Sequence, residues 1–264
     1  LMVPPQRRSE AIAFIFIGWS LASVVGIPLG SILGTEFGWR ATFFVMAGLS
    51  AVSCIAVLMS LTRGMRVEPL QFSSWVAVFK NPVLLCIMAV TLLSMSGQFT
   101  VVSYLAPILR EAFAATPRGI ALMFGIFGVA GVSGNYLATK AIGRFGVDRA
   151  ILVALCFLLA GLGMFGVFFG NYILGCIACF IWGLGTFSSN SLQQSRLVVI
   201  APTLAAATVA LNTSAVYLGQ SVGAATGGFA IKDGISANSA WMAVGFLVLA
   251  VILSITATRL AARR

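Results

Sequence analysis

Ala150 to Ser195 reads AILVALCFLLAGLGMFGVFFGNYILGCIACFIWGLGTFSSNSLQQS, 46 residues without one Asp, Glu, Lys or Arg. A helix that crosses a bilayer needs about 20 predominantly apolar residues, so this stretch is long enough for two crossings. Gly170-Asn171, a turn dipeptide in the middle of apolar sequence, predicts a tight hairpin between them. Backbone groups in lipid must be satisfied inside their own segment, which makes such spans helices; runs this continuous exclude a β-barrel.

Six further uncharged runs lie on either side: Ala11 to Thr35, Ala41 to Thr62, Asn81 to Leu109, Gly119 to Thr139, Leu197 to Ile231 and Gly234 to Thr258. The fold class predicted is therefore an all-α integral membrane protein with eight transmembrane helices. Composition agrees, because 60% hydrophobic against 8% charged residues is not a soluble globular balance. The net charge of +10 sits in short connections between spans and forms no basic patch interleaved with aromatics, which argues against nucleic acid as a partner. With the first residues in the cytoplasm, 12 of the 16 cations fall on inner segments, leaving Arg40, Arg110, Arg118 and Lys232 outside. That bias predicts that both ends of the chain are cytoplasmic. The opening Leu1 to Arg8 reads as a loop and not as the start of a cleaved leader.

The five cysteines all fall in predicted spans and read as free thiols; Cys176 and Cys179 make a mid-helix C-x-x-C with no His or second pair beside it. No metal site, cofactor or catalytic residue is expected. A membrane enzyme would need a constellation such as paired acids or a Ser beside a base, and none is present in the pattern.

Gly18, Gly26, Gly30 and Gly34 recur at spacings of eight, four and four in the first span, with Pro28 among them. A face without side chains lets a neighbouring helix approach closely, and in lipid such contact takes the place of a hydrophobic drive. The row reads either as an ordinary packing face or as a kinked gate helix. Gly219, Gly223, Gly227 and Gly228 repeat the device 193 residues later, and a Trp follows each row (Trp39, Trp241). Duplicated helix pairs of this kind are what carriers with internal repeats contain, their substrate site lying between bundles.

These residues resemble the major facilitator superfamily, in its twelve-helix drug and metabolite:proton antiporter branch. Gly26-Ile27-Pro28-Leu29-Gly30 with Gly34, then Gly38-Trp39-Arg40-Ala41-Thr42-Phe43, is similar to that branch's antiporter motif in its fifth helix and the start of its sixth. Tyr104-Leu105-Ala106-Pro107 resembles the end of the seventh helix, and Gln193-Gln194-x-Arg196 and Ala210-Leu211-Asn212-Thr213 resemble the tenth and eleventh. Gly134 to Gly146, with Lys140 and Arg144, is similar to the family's cytoplasmic loop motif, except that Gly143 stands where that motif has its acid. The resemblance begins just before the family's fifth helix, so the first four helices are not in this sequence. It implies residues 1–61 as the last two helices of the first bundle, 62–81 as a cytoplasmic linker and 82–264 as a complete six-helix second bundle. It also implies a small-molecule substrate, protons as coupling ion and efflux by alternating access.

Polar residues inside spans are the default cavity candidates. Thr91, Ser94 and Gln98 share one helical stripe; Thr186, Asn190 and Gln193 or Gln194 share another; Thr213, Tyr217 and Gln220 share a third beside Asn212. The substrate-cavity residues expected are Gln98, Ser94, Thr186, Asn190, Gln194, Asn212 and Tyr217, with interhelical hydrogen bonding as the competing reading. No carboxylate or His lies in any predicted span, so the coupling group does not show itself. Neutral stripes suit a drug, sugar or nucleoside-like solute. The alternative is a truncated, non-transporting or channel-like membrane protein, and the oligomeric state is not legible.

Overall fold

The computed structural model describes residues 25–26, 29–30, 32–34, 36–60 and 72–262. The chain divides into two compact units, Leu1–Pro69 and Leu70–Arg264.

In the first unit, helical residues at 25–26, 29–30 and 32–34 precede Gly38, whose φ of +81° turns the chain into α1 (Trp39–Ser60). No residue of this 22-residue helix is buried, and Phe44 and Met59 are 77% and 82% exposed, a surface suited to lipid or another helix. The Thr42 hydroxyl donates to the Gly30 carbonyl at 3.4 Å, pinning the glycine segment to the first turn of α1. Gly18 and Pro28 lie outside the described residues.

The second unit is a helical bundle of α2 (Phe72–Phe79), α3 (Pro82–Val102), α4 (Leu105–Glu111), α5 (Pro117–Phe145), α6 (Val147–Val167), α7 (Tyr172–Ile200), a 3-10 turn (Pro202–Leu204), α8 (Ala205–Ala230) and α9 (Asn238–Ala262). Its starts follow local chemistry. The side chains of Asn81, Thr116 and Asn171 accept from the backbone N–H groups of Val83, Gly119 and Leu174 at 3.1, 3.2 and 3.1 Å, which caps α3, α5 and α7. Proline follows two of these caps, at 82 and 117, where its missing N–H costs nothing. The predicted hairpin is present: Gly170, at φ +92°, turns the chain and Asn171 caps the next helix. The uncharged run 81–109 is not one helix, because the ring of Pro107 collides with a helical carbonyl at Ser103 and the chain breaks between α3 and α4.

α3 packs on α8 and α9, α7 on α5 and α6, and α6 on α9. One core gathers Trp182, Phe165, Phe127 and Leu158; a second, at the α2 end, gathers Val78, Leu84, Ile87 and Leu197. Val78 is fully buried, so α2 is docked into the bundle by that side chain.

Among the described residues, α1, α3, α5, α6, α7 and α9 are long and apolar enough to cross a membrane. With 26 residues α8 is long enough to span, but its mean hydropathy falls short of that of the six. The chain is an all-α integral membrane protein; the first predicted span, Ala11 to Thr35, lies largely outside the described residues.

Candidate functional site

Two faces of α8 differ completely. A Cβ added at Gly219, Gly223 or Gly227 would run into the carbonyl oxygens of Leu92, Ser96 and Thr100, themselves four apart on α3. Glycine is what lets the two backbones meet, as the spacing predicts. Tyr104 closes that seam: its hydroxyl donates to the Ala224 carbonyl at 3.1 Å and its ring lies on Gly227. On the other face, Thr213, Tyr217 and Ser221 form an exposed polar row halfway along the helix, beside the exposed Leu218 and Val222. The exposed side chains of α9 and α6 at similar depth, Leu249, Ile252, Val153 and Phe157, include no such polar row. The hydroxyls of Thr213 and Ser221 close on their own helix, donating to Val209 and Tyr217 carbonyls at 2.9 Å each. A polar row at bilayer depth is costly against lipid and marks a face turned to water or to protein.

The stripe on α3 is turned inward. Thr91, Ser94 and Gln98 are 1 to 2% exposed. Ser94 donates to the Thr91 carbonyl at 3.0 Å and Gln98 to the Ser94 carbonyl at 3.2 Å. The Thr91 hydroxyl donates to Asn212 Oδ1 at 2.7 Å, and Gln193 Nε2 donates to the Ile87 carbonyl at 3.3 Å. Asn212, Thr91 and Gln193 thus tie α8, α3 and α7 together. Asn212 Nδ2, Gln193 Oε1 and Asn190 Oδ1 are buried without a partner, which is costly unless a water or a solute group fills the place. Thr186, Asn190 and Gln194 are half-buried on α7, with Thr186 donating to the Trp182 carbonyl at 3.0 Å. The structure therefore brings Asn212 to Thr91, turns Ser94 and Gln98 onto their own helix and leaves Tyr217 on an open face, 59% exposed.

Sequence reasoning missed the strongest polar contact. Arg196, counted there among cations in connections, is inside α7 and fully buried. Its Nε lies 2.7 Å from Asp148 Oδ1, an ion pair whose N–H is not aligned for a hydrogen bond, and its other nitrogens donate to Ser254 Oγ, the Ser254 carbonyl and Thr258 Oγ1 at 3.3, 3.3 and 2.7 Å. One guanidinium thereby clamps α6, α7 and α9. The signal was available: a lone Arg between two apolar runs needs a partner, and Asp148 opens a neighbouring span.

The segment similar to a cytoplasmic loop motif is helical to Phe145 and turns at Gly146, φ +78°. Gly134 sits against the backbone of Leu184 on α7. Lys140 lies over the Tyr136 ring at 4.6 Å and Arg144 over the Phe145 ring at 5.3 Å. In the first unit, among the described residues, Gly30 and Gly34 meet Thr42, at 3.7 and 3.6 Å from an added Cβ, and Gly26 meets nothing within 4 Å.

Comparison with known proteins reaches the same architecture. The chain is 29% identical over 236 residues to the inner membrane transport protein YdhP of Escherichia coli (strain K12), covering 89% of this chain and 60% of that protein. It is 28% identical over 239 residues to a probable sugar efflux transporter of Helicobacter acinonychis (strain Sheeba), covering 88% of this chain and 59% of the relative. It thus spans about three-fifths of the length of these relatives. A solved structure of a bacterial homolog of the human lysosomal transporter Spinster, inward-facing and unoccupied, shares the fold at a TM-score of 0.63 and 17% identity, covering 97% of this chain and 72% of that one. The Major Facilitator Superfamily profile matches residues 1–224, and the chain belongs to that family.

Proposed function

We propose that this chain is the carboxy-terminal part of a secondary active transporter that exports a small neutral molecule across a bacterial inner membrane by alternating access. Residues 1–61 supply the last two helices of the first bundle, 62–81 the linker and 82–264 the second bundle, with both chain ends in the cytoplasm. The observation that carries the reading is the polar face of α8, with Thr213, Tyr217 and Ser221 exposed at mid-length of a helix long enough to span. In a carrier that face borders the water-filled path between bundles, and Asn212, Gln193 and Asn190, each with a buried polar atom lacking a partner, lie on helices lining it. Neutral donors and acceptors suit a hydroxyl-rich solute, and the named sugar efflux relatives favour a sugar over a drug or nucleoside.

Protons are the coupling ion in this reading. Glu36, Glu111, Asp148 and Asp233, the described acids, all lie at helix ends or in turns. The proposal places the exchanging carboxylate in the part of the relatives' length that this chain does not cover.

Counterflow tests the reading. Vesicles containing the gene product and preloaded with unlabelled sugar should take up labelled sugar faster than empty ones, and an imposed pH gradient should drive net movement. Flux that neither saturates nor exchanges would favour a channel-like protein instead.

A further inference from the structure

We propose that the cleft between α5 and α6 holds one acyl chain of an anionic phospholipid, with the headgroup at Arg149, Arg144 and Lys140. The cleft exists because both helices dock on α7 instead of on each other. Gly134 of α5 lies on the Leu184 backbone, and Gly185 of α7 lies against Ala154 of α6. The valley left between them has a volume of about 320 Å³. Its floor is Leu184 and Leu192, and its walls are Leu137 and Phe145 on one side, Val153 and Phe157 on the other.

Length and charge identify the occupant. From Gly134 to Phe145 along α5, and from Arg149 to Phe157 along α6, the lined walls run roughly 12 to 16 Å at 1.5 Å per residue. One leaflet of a hydrocarbon core about 30 Å thick is of that depth. The cleft ends where α5 turns into α6, and Arg149 lines it there. Lys140, Arg144 and Arg149 are all exposed at this end. Asp148, the acid in the same turn, is already held by Arg196 at 2.7 Å. The rings of Tyr136 and Phe145 steady Lys140 and Arg144 without neutralising them. Three cations beside an apolar slot of leaflet depth match a phosphate headgroup with its tail, and a net negative headgroup better than a zwitterionic one.

Native mass spectrometry of the full chain in detergent, titrated with phosphatidylglycerol and with phosphatidylcholine, tests this. The unaltered chain should retain one phosphatidylglycerol in preference to phosphatidylcholine. Arg144→Ala with Arg149→Ala should weaken phosphatidylglycerol about 25-fold, roughly fivefold per cation, and leave phosphatidylcholine unchanged. Ala141→Phe, which fills the cleft, should weaken both lipids. Lys80→Ala removes an exposed charge outside the cleft and should change neither. Equal affinity for the two lipids, equal loss with Lys80→Ala, or unchanged binding with Ala141→Phe would each overturn the assignment.

Discussion

Helices α8 and α9 follow one another, hold 26 and 25 residues and each pack on α3, yet they meet their surroundings in opposite ways. α8 buries glycines and exposes a polar row, Thr213, Tyr217 and Ser221, beside Leu218 and Val222; α9 buries Ala243, Leu247 and Ala250 and exposes Leu249 and Ile252 with no polar row. The contrast teaches that length says only whether a helix can reach across a bilayer, while the exposed face says what medium it meets there. α9 reads as lipid-facing and α8 as facing a polar path, which is why α9 is apolar enough to cross a membrane by composition and α8, of similar length, is not.

The comparison breaks first at the buried faces. Gly223→Leu forces a side chain into the Ser96 carbonyl and Phe99 and should cost about 3 kcal/mol or more, read as loss of folded chain in denaturant titration. Gly245→Leu on α9, where none of the described residues lies within 4 Å of an added Cβ, is the partner variant and should stay within about 0.5 kcal/mol. Equal losses at both sites would mean that the glycine seam does not distinguish the helices.

The next largest effect belongs to α9, whose Ser254 and Thr258 hold Arg196. Asp148→Asn leaves that buried guanidinium without its carboxylate and should cost about 2 to 4 kcal/mol. The side chain of Asp148 is 41% exposed, which keeps the loss below the fully buried case. Asp148→Asn combined with Arg196→Met should recover most of it in the same titration. A smaller effect, about 1 kcal/mol, is expected for Tyr104→Phe, which removes the hydroxyl bonded to Ala224 at the end of the α3 to α8 seam. Tyr217→Phe should leave stability unchanged while slowing counterflow, which separates the exposed face of α8 from its buried one.

Much of this was legible in the sequence because uncharged runs and glycine spacing are one-dimensional signals. The hairpin at Gly170-Asn171 and the close-packed row Gly219, Gly223, Gly227 are where the pattern places them. The matching row Gly26, Gly30, Gly34 has the same spacing but among the described residues meets only Thr42; a glycine row is half of an interface and the sequence does not name the other half. For the same reason the polar stripes told little about direction. Thr91, Ser94 and Gln98 are as well spaced as Thr213, Tyr217 and Gln220, yet one set is buried and the other holds Tyr217 in the open. Periodicity finds a face; only the packing of neighbouring helices says where it points. Arg196 escaped because its partners, Asp148, Ser254 and Thr258, are 48 to 62 residues away in the chain.

The most direct test of the water-facing row is thiol labelling in membrane vesicles. Tyr217→Cys and Leu249→Cys, each in a chain whose five native cysteines are replaced by Ser or Ala, are treated with a membrane-impermeant thiol reagent. The account predicts labelling at position 217 at least about tenfold faster than at 249, since thiols react as thiolates and ionise only beside water. Equally slow labelling at both positions would place the exposed face of α8 in lipid and contradict it.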